Sequence, residues 1–131
     1  GLTGDLSVLA GASKLKKLNV TCNRGLTSLK GIPTQEIEEI VASTCGLTGD
    51  LSVLAGASKL KKLYVSWNGG LTSLKGVPTQ EIGGIGAQDC DLTGDHSFLK
   101  AANKLKQLDL RSNPNLSLDR SIFAQSVQVL L

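Results

Sequence analysis

Aromatic residues are scarce in this chain of 131 residues, which has one tryptophan, one tyrosine and two phenylalanines. A buried core therefore has to come from aliphatic side chains. Methionine is absent, histidine occurs once, and no run of about 18 apolar residues exists that could cross a bilayer. The net charge of +3 is small and its charges are scattered, so nucleic acid and anionic membranes are not expected as partners.

The most prominent feature of the sequence is an internal repeat. Residues 1–45 and 46–90 differ at only ten positions, and residues 91–131 follow them more loosely. The nine-residue pattern L-x-x-L-x-L-x-x-N/C, with Ile, Val or Ala at some Leu places, starts every 22 or 23 residues. Its five copies lie at 15–23, 37–45, 60–68, 82–90 and 105–113, and a sixth begins at Val127.

This pattern resembles the leucine-rich-repeat family over essentially the whole chain, and the Leu-Thr-Gly that follows the cysteine copies resembles its plant-specific subclass. The resemblance implies an α/β-type solenoid, a right-handed superhelix with a concave parallel β-sheet and a mostly irregular or 3-10 helical convex side. One repeat cannot bury its own aliphatic residues, so stacked neighbours would share one core. We expect a single domain, residues 1–131, made of double repeats 1–45, 46–90 and 91–131.

The sequences at the two ends indicate that the chain is a fragment of a longer array of repeats. Neither end has the polar or cysteine-rich cap that solenoids usually need for solubility. The chain also has neither an initiator methionine nor a targeting segment. Uncapped ends offer open sheet edges, so self-association end to end is expected.

Small polar residues fill the ninth place of the pattern, as Asn23, Cys45, Asn68, Cys90 and Asn113. They are predicted to bond backbone groups of the turn that leaves the sheet. Cys45 and Cys90 are expected to be buried, reduced and too far apart for a disulfide, and Cys22 to be exposed. The compartment stays open, because a free exposed thiol favours a reducing environment, whereas the glycosylation-type sequons at 19–21 and 115–117 favour a secreted chain.

The ten differences between the first two units fall mostly on one surface. Eight of them occupy the outward places of the predicted strands, the second, third, fifth, seventh and eighth. Exposed residues expected on the convex side, such as Lys30 and Gln35, recur unchanged as Lys75 and Gln80. Change confined to one face predicts a surface diversified to recognise a protein or peptide. Neutral drift of exposed positions is the alternative.

Tyr64 and Trp67 are the predicted anchors of this face, since rigid aromatic side chains give large contact areas. The glycines of the next strand, Gly83, Gly84 and Gly86, predict a shallow hollow beside them, unless Tyr64 folds across Gly86 to shield its backbone. The predicted ligand-binding residues of the face are Asn19, Thr21, Cys22, Val41, Tyr64, Ser66, Trp67, Gln88, Asp89, Asp109 and Arg111.

Charged pairs occupy the second and third places of the first three strands, as Lys16-Lys17, Glu38-Glu39 and Lys61-Lys62. Opposite charges on neighbouring strands predict attractions worth about 0.2–1 kcal/mol each. Glycines stand at these places in the fourth strand, so Lys61 and Lys62 keep one acidic neighbour instead of two. A ligand carboxylate could take the missing place, with solvated lysines as the alternative.

No catalytic site, metal site or cofactor is predicted. His96 stands where the earlier units have Leu6 and Leu51, which predicts a core or edge position, and no nucleophile or metal motif accompanies it. Residues 89–95 resemble the start of a calcium loop, but its twelfth place is Lys100 rather than glutamate. The sequence predicts a non-catalytic binding module. A structural spacer or assembly element that stacks end to end is the alternative.

Overall fold

A computed structural model describes all of residues 1–131. Its strands, in chain order, are β1 (Thr3–Gly4), β2 (Lys17–Asn19), β3 (Gly25–Leu26), β4 (Glu39–Val41), β5 (Thr48–Gly49), β6 (Lys62–Tyr64), β7 (Gly70–Leu71), β8 (Gly84–Gly86), β9 (Gly94–Asp95), β10 (Gln107–Asp109), β11 (Leu116–Ser117) and β12 (Gln128–Leu130). The main sheet is six-stranded and parallel, in the order β2-β4-β6-β8-β10-β12. Every copy of the nine-residue pattern therefore contributes one parallel strand, as predicted.

The strands of the main sheet share one register. The middle residue of each of the first five strands is the fourth place of the pattern, and Leu18, Ile40 and Leu63 lie opposite one another there. These residues point into the core, whereas the third and fifth places on either side point outward, because successive side chains of a strand alternate. In β12 the residue opposite Leu108 is Val129, which is the third place of the sixth copy, so that copy is paired one residue earlier than the sequence predicted. Only three residues of each nine-residue copy have strand geometry, so the strands are shorter than the pattern.

Three of the five segments that connect successive strands of the main sheet contain a short 3-10 helix, and so does the segment before β2; the connections from β2 to β4 and from β6 to β8 have none. The helices span Ser7–Leu9, Ser52–Leu54, Ser97–Ala101 and Arg120–Ile122. An aspartate fixes the start of each one: Asp50 Oδ1, for example, accepts the Ser52 N–H at 3.0 Å and the Ser52 hydroxyl at 2.6 Å. None of the helices is long and apolar enough to span a membrane.

Three two-stranded sheets, β1-β3, β5-β7 and β9-β11, were not predicted, because segments of two residues carry no alternation that a sequence pattern could reveal. Backbone bonds also join these small sheets. The Gly46 N–H donates to the Leu26 carbonyl at 2.9 Å, and the Asp91 N–H donates to the Leu71 carbonyl at 3.0 Å. Each turn that leaves the main sheet is thus tied to the turn of the preceding repeat.

The core is one cluster of 30 buried residues, almost all aliphatic. Leu63 and Val65, on the inward side of the β6 segment, are fully buried, and so is Leu54 from the second 3-10 helix. Leu18 on β2 and Val129 on β12 are only partly buried, since each outer strand has a neighbour on one side alone. Burial therefore depends on stacking between repeats.

Candidate functional site

The outward side chains of the main sheet, together with those of the turns that directly follow its strands, are called the sheet face below. Backbone pairing places the fifth-place residues in one row, Asn19, Val41, Tyr64, Gly86 and Asp109. The seventh and eighth places add the remaining predicted residues, Thr21, Cys22, Ser66, Trp67, Gln88, Asp89 and Arg111. The structure thus brings all eleven predicted residues together along the carboxyl ends of neighbouring strands.

The eighth-place residue of every complete repeat has a left-handed backbone. Cys22, Thr44, Trp67, Asp89 and Ser112 have φ values between 51° and 66°, a region that is costly for most side chains and rare for bulky ones. Backbone bonding keeps the turn in place, because the Trp67 N–H donates to the Gln88 carbonyl of the next repeat at 2.8 Å. The turn leaves Trp67 58% exposed.

Tyr64 lies across the glycines of the next strand. A Cβ atom at Gly86 would stand 2.9 Å from Tyr64 Cδ1, and a Cβ atom at Gly84 would stand 3.4 Å from the Tyr64 hydroxyl oxygen. The ring therefore covers Gly86, as the shielding alternative foresaw, and the hollow expected at that position is filled. The hydroxyl reaches over Gly84 and makes no hydrogen bond within the protein.

A hollow of about 980 Å³ remains over Gly83 and Gly84. Four lysines line it, Lys61, Lys62, Lys104 and Lys106, and Glu81 is the one acidic residue of its lining. The lining therefore has a net charge of +3. The ligand-binding set predicted from sequence does not include these lysines, although the alternation of charge from strand to strand had indicated that Lys61 and Lys62 lack an acidic neighbour on one side.

Two of the four lysines already have carboxylate partners. Lys61 Nζ lies 3.4 Å from Glu38 Oε1, and Lys104 is paired with Glu81. These ion pairs are exposed, so each contributes little to stability. Lys62 and Lys106 make no ion pair. Their charges are the ones that remain free to meet a ligand.

Asp109 and Arg111 bind each other on the sheet face. Arg111 Nη2 donates to Asp109 Oδ2 at 2.7 Å and Arg111 Nε donates to Asp109 Oδ1 at 2.9 Å. The hydrogen-bonded guanidinium holds the pKa of the Asp109 carboxyl below its usual value. A ligand would therefore meet a neutral, oriented pair here and not two independent charges. Their spacing of two residues, which places both side chains on the same side of an extended segment, is the sequence signal for this contact.

The ninth-place side chains have a structural role. Asn68 is fully buried; its Oδ1 accepts the Leu47 N–H at 3.1 Å, and its Nδ2 donates to the carbonyls of Ala42 at 3.0 Å and Val65 at 2.7 Å. Asn113 makes the same set of bonds one unit later. The predicted bonding to turn backbone is confirmed.

The three thiols are free, with Cys45 and Cys90 buried and Cys22 exposed, as predicted. The Cys45 thiol donates to the Val20 carbonyl at 3.2 Å, and the Cys90 thiol donates to the Val65 carbonyl at 3.3 Å. Burial raises the pKa of both thiols. Neither buried thiol is therefore a reactive thiolate near neutral pH.

His96 is a core residue, 1% exposed, in place of the leucines of the earlier units. Its Nε2 accepts the Leu74 N–H at 3.1 Å, and its Nδ1 lies 3.3 Å from the Gly94 carbonyl oxygen. These partners require a neutral ring protonated at Nδ1. Burial lowers the pKa of His96, which favours the same neutral form. Nowhere in the protein do three histidine, cysteine or carboxylate side chains form a group that could hold a metal ion.

Some unchanged residues outside the sheet face make contacts that explain why they recur. Lys59 Nζ lies 2.7 Å from Glu36 Oε2. The Ser28 hydroxyl accepts the Lys30 N–H at 3.0 Å. Such contacts account for part of the constancy of these positions, so constancy alone does not single out the sheet face for recognition. The recognition hypothesis rests instead on what the face itself presents, an exposed tryptophan beside a basic hollow.

No protein-family model matches the chain, and no curated protein shows a significant match to it. Its function has to be inferred from its own residues and geometry.

Proposed function

We propose that the chain is a leucine-rich-repeat solenoid that binds a protein or peptide through its sheet face and has no catalytic activity. The support for the fold is the recurrence of the nine-residue pattern, together with one parallel strand for each copy. In such a solenoid the main sheet would line the concave side of a right-handed superhelix, with the 3-10 segments on the convex side.

The exposure of Trp67 is the observation that carries the binding function. A tryptophan that is 58% exposed leaves a large apolar surface in water. Its φ of 61° adds backbone strain. The first unit has Cys22 at the same place with the same backbone geometry, so the fold does not require the indole. An exposed aromatic side chain is a common anchor of a protein interface.

Polar residues surround this anchor. Asn19 and Thr21 are exposed two strands away, and Asn19 Oδ1 accepts the Thr21 N–H at 3.1 Å. On the next strand, Gln88 is half-buried, and its N–H donates to the Ser66 hydroxyl at 3.0 Å. An apolar anchor with a polar rim is the common composition of a peptide or protein interface.

Replacing Tyr64 by Asn and Trp67 by Cys, the residues of the first unit, tests this function. A displayed library of random peptides is selected on the unmodified protein, and the dissociation constants of the selected peptides are measured for both proteins in reducing buffer. We expect the double substitution to weaken binding by about 2 kcal/mol, or about 30-fold, because aromatic anchors dominate interface energies.

The matched control replaces Lys30 and Lys75, outside the sheet face, by alanine. The control should bind the selected peptides as the unmodified protein does, and circular dichroism should show that all three proteins are folded. Equal binding by the aromatic double variant, or loss of binding by the lysine control, would contradict the proposed site.

The second candidate is a structural element that assembles through the edges of its sheet. In this chain the outer edges of β2 and β12 have no strand beside them, and Leu131, which follows β12, is 56% exposed. Unpaired strand edges can add another chain, and because the two edges differ, contact between them would propagate head to tail. Sedimentation velocity over a wide concentration range distinguishes the candidates: growing species would favour assembly, and a constant monomer would contradict it.

A further inference from the structure

The first half of the main sheet shows how this protein arranges charge across neighbouring strands. Glu39 on β4 lies in register between Lys17 on β2 and Lys62 on β6. One place earlier, Glu38 Oε1 lies 3.4 Å from Lys61 Nζ. Two adjacent carboxylates thus lie between two basic strands, and Glu38 with Lys61 is the one ion pair that they form.

The second half of the sheet repeats the basic strands without the acidic one. Gly84 on β8 lies in register between Lys62 on β6 and Gln107 on β10, and Lys106 precedes Gln107. Gly83 and Gly84 stand at the places that Glu38 and Glu39 occupy in the first unit. The hollow over Gly83 and Gly84 therefore lies at the places where the first unit has two glutamate side chains.

The floor of the hollow has no free hydrogen-bond donors. The N–H groups of Gly83 and Gly84 both donate to the Lys61 carbonyl, at 2.8 Å and 3.1 Å. Any polar ligand must therefore bind to the walls, where the ammonium groups of Lys62 and Lys106 and the Tyr64 hydroxyl have no partner in the protein. All of these groups can donate hydrogen bonds to an anion.

We propose that this hollow binds two adjacent carboxylates of an extended acidic peptide, which take the places that Glu38 and Glu39 fill one unit earlier. This inference rests on the proposed binding function and names the chemistry of its partner. Strands two apart are separated by about 10 Å, so a carboxylate above β8 reaches an ammonium group on either wall. Trp67, at the end of the β6 segment, would contact the peptide beyond the acidic pair.

The charges around the hollow favour a peptide over a nucleic acid. A nucleic acid needs a basic surface that follows several phosphates, whereas Glu39 on β4 and the neutral pair of Asp109 and Arg111 flank this basic region. The lining charge of +3 is therefore a local feature. It suits a short acidic segment.

The test is an NMR titration of the ¹⁵N-labelled protein with two capped peptides that differ only at their centre, one with Glu-Glu and one with Gln-Gln. Shifts should concentrate at the amides of Gly83 and Gly84. We expect the Glu-Glu peptide to bind about tenfold more tightly at low salt, the sum of two exposed charge contacts. The preference should shrink at high salt, because exposed charges are screened.

Two variants of the hollow probe the same contacts. Gly83→Glu with Gly84→Glu restores the acidic pair of β4. It should fold because a Cβ atom makes only ordinary contacts there, 3.7 Å from the nearest atom at Gly83 and 3.4 Å from the Tyr64 hydroxyl at Gly84. Lys62→Gln with Lys106→Gln removes the unpaired charges. Both variants should lose the preference for Glu-Glu. Lys30→Gln with Lys75→Gln makes the same change of charge elsewhere and should keep it.

Three outcomes would overturn the inference: equal binding of the two peptides, loss of the preference in the Lys30 and Lys75 control, or equal competition by a thymidine oligonucleotide of matched charge. The experiments distinguish a failure of the acidic-peptide inference from a failure of the proposed binding function. Library peptides without acidic pairs that still depend on Trp67 would overturn the acidic partner and leave the binding function standing. A library without any binder to the sheet face would overturn both.

Discussion

Replacing Asn68 with alanine is expected to lower the free energy of unfolding by about 4 kcal/mol, since several buried backbone groups lose their partner at once. The amide accepts one bond from Leu47 and donates to the carbonyls of Ala42 and Val65. Because Asn68 is fully buried, water cannot easily take its place. The loss is a large part of the 5–15 kcal/mol that typically stabilises a domain. Urea denaturation followed by circular dichroism measures it.

Asn23→Ala is the matched control, because Asn23 occupies the same place in the first repeat. Its amide bonds the Leu2 N–H at 2.8 Å and the Val20 carbonyl at 2.7 Å, but the side chain is only half-buried. Water can therefore replace its bonds, and we expect a loss of about 1 kcal/mol. A loss at Asn68 no greater than the loss at Asn23 would mean that the buried amide does not hold successive repeats together.

Repetition made the backbone of this protein predictable from its sequence. The parallel strands, the buried thiols and the backbone bonds of the ninth place all follow from a residue type that recurs at fixed spacing. His96 was placed correctly for the same reason, because it takes the place of two leucines. A feature that every repeat shares appears several times in the sequence at fixed spacing, and a chance occurrence of the same residues would not recur in this way.

Features that belong to a single repeat were harder to predict. Whether Tyr64 stands away from the sheet or lies over Gly86 depends on its rotamer, and the sequence does not decide between these two orientations. The bidentate contact between Asp109 and Arg111 occurs once, so no second copy pointed to it. The lysine-lined hollow arises from a combination of side chains on three strands, which becomes visible only when the register is known.

Replacing Gly76 with alanine is the second change with a large expected effect, a loss of about 3 kcal/mol in the free energy of unfolding. A Cβ atom at Gly76 would stand 2.4 Å from Ser52 Cα and 2.5 Å from Ser52 N, and the residue has a φ of 101°. The contact is with the backbone where a 3-10 helix of the preceding repeat begins, so no side-chain rotation can relieve it. Equilibrium unfolding in urea would show the loss as a lower midpoint with an unchanged slope.

Gly49→Ala separates the two causes of that loss. Gly49 also has a positive φ, 75°, but no atom lies within 4 Å of the place where its Cβ would stand. Alanine there should cost only the conformational strain, about 1 kcal/mol. The difference between the two losses in unfolding free energy then measures how closely the returning segments of successive repeats pack against each other. Equal losses at the two glycines would contradict that close approach and assign both effects to backbone conformation alone.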